Sequence, residues 1–136
     1  MPTSVPKPRP QPTPVSQPFW DALREERVAL QRCDDCGRWV YYPRSRCPSC
    51  LSARLAWTDV DGLGTVYTFT VAEQATAPPF ADEVPQLLAI VELTEGVRVS
   101  TTLVDVDAGA ITVGMPVAPV FDHGDDGITL LRYRPR

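Results

Sequence analysis

C-D-D-C-G-R-W-V-Y-Y-P-R-S-R-C-P-S-C, residues 33–50, sets its cysteines as Cys33-x2-Cys36 and Cys47-x2-Cys50, with ten residues between the pairs. A tight turn inside each C-x2-C unit aims two thiolates at one point. Two such turns facing each other make a tetrahedral four-sulfur site. Gly37 follows the first pair, where a turn often needs a positive φ, and Pro48 stiffens the second. The spacer leaves room for a hairpin through Arg38–Arg46. Zinc is the usual ion in such a closed site, and four thiolates leave no open position for a catalytic water. Iron fits the same sulfur geometry and would make an electron carrier. A redox dithiol lacks a strand–helix setting here, and two disulfides need an oxidising compartment. About twenty residues cannot bury a self-sufficient core, so metal binding, worth ~10–16 kcal/mol in small zinc modules, takes that role. The reading is a structural Zn2+ on Cys33, Cys36, Cys47 and Cys50.

Upstream of the cysteines, Ser16 and Pro18 suit the start of a helix over roughly 17–27. Phe19, Trp20 and Leu23 would form its apolar patch, either as core or as a face for a partner. Before it, residues 1–17 alternate proline with small or polar residues, and seven of the fifteen prolines fall within the first eighteen positions. Such a stretch favours extended polyproline II and has nothing to bury. It reads as a semi-rigid linker or tail, with a ligand for a proline-binding groove (Pro8 with Pro10 or Pro12) as the alternative. A linker here also suggests that the chain follows a further domain.

Downstream of residue 57 the pattern changes to period two. G-T-V-Y-T-F-T-V-A (64–72) puts Val66, Thr68, Thr70 and Ala72 on one face and Tyr67, Phe69 and Val71 on the other. Q-L-L-A-I-V-E-L (86–93) turns at Glu95-Gly96 into V-R-V-S-T-T-L-V (97–104), a hairpin. Shorter strands are expected at 110–113, 117–122 and 128–133. Five or six short strands point to a small closed barrel, OB-like or SH3-like by count. The fold class is thus mainly β: a tail over 1–17, a helix and metal ribbon over 18–56, and a barrel over 57–136. Loop 73–85 carries an apolar tip, Pro78-Pro79-Phe80, either folded over the barrel mouth or offered as an anchor for a partner or acyl ligand.

Charge and composition narrow the function. The net charge of −4 splits into nine basic and five acidic groups over residues 1–57, and four and twelve over 58–136. That acidic half argues against a nucleic-acid track. The longest apolar run, 87–91, is far below the ~20 residues a membrane span needs. No secretory leader is visible, so the cysteines are read with a reducing, cytoplasmic interior. Arg38, Arg44, Arg46 and Arg54 around the ribbon make either an anion site for a phosphate-bearing ligand or a solvated, ion-paired face. His123 is the only histidine and reads as a loop residue, Asp125 and Asp126 lack a calcium-loop spacing, and Glu92 and Glu95 read as solvated. No catalytic constellation stands out, which favours a binding or accessory module.

The order F-W-D-A-L-R-E-E-R, C-D-D-C-G-R, C-P-S-C, G-T-V-Y-T-F-T-V, P-P-F, P-Q-L-L-A-I-V-E-L-T-E-G-V-R and G-M-P-V resembles the zinc-ribbon/OB-fold acyl-CoA-associated family from about Pro18 to Pro135. The resemblance implies an N-terminal helix, a rubredoxin-like zinc ribbon and a C-terminal OB-fold. It further implies an accessory subunit of a thiolase-like acyl-CoA aldolase, a hetero-oligomer helping to bind acyl-CoA in steroid side-chain degradation. All four family cysteines are matched, and no catalytic residue carries over. Phe19, Trp20, Arg44, Arg46, Pro79 and Phe80 are the candidate contacts to the partner or the acyl-CoA.

Overall fold

In the computed structural model, which describes residues 6–75 and 77–136, helix α1 spans Gln17–Arg24. Ser16 stands at its cap position, but its hydroxyl accepts from the Thr13 amide at 2.9 Å and not from the helix. The helix stops three residues short of the expected 27. Glu26 takes the left-handed conformation (φ 59°), and the Arg27 amide reaches back to the Ala22 carbonyl at 2.8 Å. This is a Schellman closure with glutamate where glycine is usual. It turns the chain at once into β1, Val28–Cys33.

β1 escapes a periodicity argument because both its faces are covered. Every residue but Arg32 is buried, so no polar alternation appears. It is the centre of a three-stranded antiparallel sheet, with β2 (Trp39–Val40) on one side and β3 (Leu55–Val60) on the other. β3 runs through Trp57, the expected start of the barrel, and by its pairing belongs to the ribbon sheet.

Five further strands form the barrel: β4 (Gly64–Ala72), β5 (Gln86–Leu93), β6 (Arg98–Thr102), β7 (Pro116–His123) and β8 (Thr129–Pro135). Their order is β6-β5-β4-β7-β8. A parallel bridge from Leu103, just past β6, to Tyr133 of β8 closes the ring. The third barrel strand thus meets the fifth in parallel. This closure is the OB arrangement, and it decides between the two barrels that strand count left open.

Two local expectations change. Pairing of β4 with β5 shifts register between Val66 and Thr68, so Tyr67 is a bulge and the faces exchange beyond it. Phe69 therefore joins Val66 against the core, while Thr68 and Thr70 are exposed. The expected strand at 110–113 is absent. Ala108–Ala110 form a 3-10 turn, buried Ile111 plugs the barrel, and Gly114 (φ 89°) bends the chain so that its amide meets the Val66 carbonyl at 2.8 Å.

Ribbon and barrel share one core. Leu30 of β1 clusters with Val66, Val91, Val99, Val117 and Tyr133 of the barrel. At the junction the buried Tyr133 hydroxyl donates to the Gly62 carbonyl at 2.7 Å. Gly62 is held at φ 74°, and a Cβ there would lie 2.9 Å from a Val28 methyl. Leu30→Ala should cost about 2–5 kcal/mol. Because two sheets lean on this side chain, urea unfolding followed by circular dichroism and by zinc release should still give one shared, lowered midpoint.

The proline-rich segment lies against the barrel from residue 6 onward; residues 1–5 of that segment, and Thr76 in loop 73–85, lie outside the described residues. Lys7 Nζ is 2.9 Å from a Glu83 carboxylate oxygen, and Arg9 Nε is 2.8 Å from one of Asp126. The Arg9 guanidinium holds the Asp126 carboxyl well down, at about 2, with the Ile128 amide assisting. A depressed carboxyl stabilises above its ordinary ~3.9 and loses that contribution as pH falls toward 2, so the tether is complete at neutral pH. Arg9→Gln should return the Asp126 carboxyl midpoint toward ordinary aspartate values in a carbonyl-carbon NMR titration.

Candidate metal centre and recognition surfaces

The two cysteine turns are built alike. The Gly37 amide donates to the Cys33 carbonyl and the Leu51 amide to that of Cys47, each at 2.9 Å. Cys33 N donates to Arg38 O and Cys47 N to Ser52 O, again at 2.9 Å. The fifth residue of each turn is left-handed, Gly37 at φ 75° and Leu51 at φ 65°. Glycine marks the first turn in the sequence; leucine conceals the second.

All four Sγ atoms lie within 4.8 Å of one another, with Cys33–Cys50 at 3.5 Å and Cys36–Cys47 at 3.6 Å. A zinc ion with bonds near 2.3 Å sets a tetrahedral edge of roughly 3.8 Å, so the donors fit. The amides of Cys36 and Asp35 stabilise the Cys33 thiolate and lower it to about 7. The Cys50 and Ser49 amides likewise lower Cys47. Cys50 has the Ser52 amide in its favour, yet the sulfur of Cys33 and desolvation push it up to about 12. Cys36 is raised too: desolvation and the sulfurs of Cys47 and Cys33 outweigh the Arg38 amide. Four thiolates repel when assembled alone, and a dication at their centre removes the conflict. Cys33 and Cys47 are buried while Cys36 and Cys50 are exposed, so the ion would sit at the rim of the ribbon.

The other candidate residues separate. Phe19 is 3% exposed and packs edge-on against Trp20, Tyr41 and Tyr42, so it is a core residue and not a contact for a partner. Burial pushes the Tyr41 phenol up to about 12, which keeps it a neutral packing group. Trp20 is half-buried and donates its indole N–H to Tyr42 Oη at 3.1 Å. Arg44 is exposed beside this cluster, its backbone clamped by the buried Gln31, which accepts from Arg44 N at 2.8 Å and donates to its carbonyl at 2.9 Å. Only a polar residue within V-A-L-Q hints at that clamp. Pro79 and Phe80 belong to a 3-10 turn, Pro78–Glu83; both are half-buried, and Phe80 lines a cavity with residues 7–10.

The arginines divide as well. Arg24 pairs with Asp21, Arg27 with Glu25 and Asp59, and Arg54 with Asp35. Arg32 bonds the Gly37 carbonyl and stacks over Trp39, and Arg46 caps the Leu51 carbonyl at 3.2 Å. Among the described residues Arg38 and Arg44 make no ion pair. His123 bonds Thr129 through Nδ1 at 2.9 Å, and Glu92 pairs with Arg98 at 3.1 Å. Among the described residues no helix is long and apolar enough to cross a membrane.

Residues 20–56 match the model of the ChsH2 rubredoxin-like zinc ribbon domain, and residues 57–122 that of the ChsH2 C-terminal OB-fold domain. The chain belongs to the ChsH2/DUF35 family. Zinc is accordingly the ion of the four-cysteine site. Similar proteins include a DUF35 domain-containing scaffold protein of Methanocaldococcus jannaschii, 36% identical over 122 residues and 85% of each chain. A probable enoyl-CoA hydratase alpha subunit of Thermomonospora curvata is 37% identical over 118 residues, 86% of this chain and 36% of that protein. The 3-oxo-4,17-pregnadiene-20-carboxyl-CoA hydratase alpha subunit of Mycobacterium tuberculosis is 31% identical over 76% of this chain and 32% of its own length. The chain therefore spans about a third of the hydratase subunits it matches. Among solved structures, a chain of the Ltp2-ChsH2(DUF35) aldolase superposes with TM-score 0.83 and 35% identity, over 93% of this chain and 98% of that one.

Cys47→Ser removes a buried ligand and should abolish stoichiometric zinc in metal analysis, with the amide signals of residues 33–55 collapsing together. A variant that keeps one zinc per chain and full solubility would contradict a folding role for the metal.

Proposed function

We propose that this chain is the non-catalytic zinc-ribbon/OB part of a thiolase-like acyl-CoA retro-aldolase assembly acting on steroid side-chain thioesters. The observation that carries this reading is its likeness, along nearly the whole length of both chains, to the ChsH2(DUF35) chain of a solved aldolase. The steroid-CoA substrate in the name of the mycobacterial relative supports the substrate class.

The chain's own chemistry fits an accessory role. Its metal site has four protein ligands and no open position. Among the described residues, its one histidine bonds the hydroxyl of Thr129, which is buried and so closed to a substrate. In the retro-aldol step a base on the partner takes the proton of the β-hydroxyl, and the Cα–Cβ bond breaks. The electron pair then passes into the thioester enolate, which takes up a proton. This chain would contribute a rigid docking body. Trp20, Tyr42 and Arg44 are grouped at the ribbon edge as the proposed partner contact, and the unpaired Arg38 and Arg44 are suited to CoA phosphates. The assembly is proposed to be cytoplasmic, since the four thiols need a reducing setting. The acidic barrel weighs against nucleic acid as the ligand.

Co-expression with a neighbouring thiolase-like gene product should yield a stable hetero-oligomer that cleaves a β-hydroxy steroid acyl-CoA. The thiolase-like protein alone should be at least about tenfold less active or insoluble. If the two proteins purify separately and the partner's activity is unchanged by this chain, the reading fails.

A further inference from the structure

OB barrels take ligands on the strand face between the loop joining their first two strands and the loop joining their last two. Here those are residues 73–85, between β4 and β5, and the turn 124–128, between β7 and β8. The chain itself crosses the cleft they flank: Lys7, Pro8, Arg9 and Pro10 wall one side of a remaining cavity of about 460 Å³, with Phe80, Glu83, Gln86 and Leu130 among the barrel residues that line it too.

The fit has the marks of recognition. A polyproline II strand turns once every three residues, so side chains two apart splay to different sides. Lys7 reaches Glu83 in one flanking loop, and Arg9 reaches Asp126 in the other. The Arg9 seat is built for a guanidinium. Asp126 accepts from Nε at 2.8 Å and from Nη2 at 3.1 Å, and the Ile128 carbonyl accepts from Nη2 at 3.3 Å. Gly124 leaves the space, since a Cβ there would collide with that nitrogen. Phe80 and Leu130 offer the prolines an aromatic and aliphatic surface, as grooves for proline-rich peptides do. Among the described residues, Gln86 Oε1 is buried without a partner at the same cleft, an acceptor awaiting a donor. Asp122, Asp125, Asp126 and Glu83 make the walls acidic, with Arg132 held by Asp122 at 2.6 Å. An anionic ligand is disfavoured there, and a basic proline-rich one is suited.

We propose that the OB cleft is a recognition site for an extended, basic, proline-rich peptide, and that residues 6–10 are its built-in occupant, shutting the cleft until the strap is lifted. Proline fixes φ before docking, so the strap binds with little backbone entropy to lose, yet only two ion pairs and a few apolar contacts hold it. An outside segment of the same chemistry competes for the same groove.

The test uses the full-length, zinc-loaded chain and a dye-labelled peptide of sequence P-K-P-R-P-Q-P, followed by fluorescence anisotropy. Lys7→Glu/Arg9→Glu should free the cleft and bind the peptide at least about tenfold more tightly than the unaltered chain. Adding Glu83→Lys and Asp126→Lys to that variant should abolish binding. Circular dichroism and one zinc per chain serve as folding controls for each variant. Equal binding to the unaltered and strap variants, or binding that survives the reversal of Glu83 and Asp126, would overturn the proposal. Both outcomes are independent of whether the chain joins an aldolase, because no partner enters the assay.

Discussion

Four cysteine sulfurs held within 4.8 Å of one another are stable only around a cation, and both turns of the ribbon are built around them. From that cluster the dependence spreads through β1, which begins at the end of α1 and finishes at Cys33. The strand carries Leu30 into the barrel core and Gln31 into the clamp on Arg44. The helix is fastened to the same strand by the Schellman closure at Glu26. Ribbon, helix and barrel are distinct in sequence pattern, yet in packing they form one body.

What the residues disclosed, and what they concealed, follows from physical causes. The metal site was legible because two C-x2-C units have almost no other use at that spacing. The β5–β6 hairpin was legible because alternation and a Glu95-Gly96 turn agree. β1 was not, since burial on both faces removes the polar alternation that marks a strand. The face exchange in β4 was hidden because a bulge at Tyr67 costs no unusual residue. Ile111 reads as the start of a strand, yet it serves as a barrel plug, a distinction only the closed ring can make. The prolines announce that no helix or strand will form, and residues 6–13 are in neither. That they lie on the barrel depends on Glu83 and Asp126, more than seventy positions away, which no local pattern reveals.

The layout also explains why an accessory part can be so small. The metal ties the cysteine end of the ribbon together, and the barrel closes on itself through Leu103 and Tyr133. Part of the charge is spent on internal pairs: Arg27 with Asp59, Arg54 with Asp35, Arg132 with Asp122. Among the described residues, Arg38 and Arg44 of the ribbon stand without an ion pair, while on the barrel side it is carboxylates such as Asp61, Glu73, Asp105 and Asp107 that do.

Leu30 and the Tyr133–Gly62 hydrogen bond make the metal and the barrel one thermodynamic system. A change in the barrel core should then register at the zinc site, and zinc occupancy should register in the barrel. Without zinc, the strand that carries Leu30 would lose its anchor at Cys33 and the barrel core would lose that contact, so the metal supply would bear on how much folded protein is at hand for any assembly.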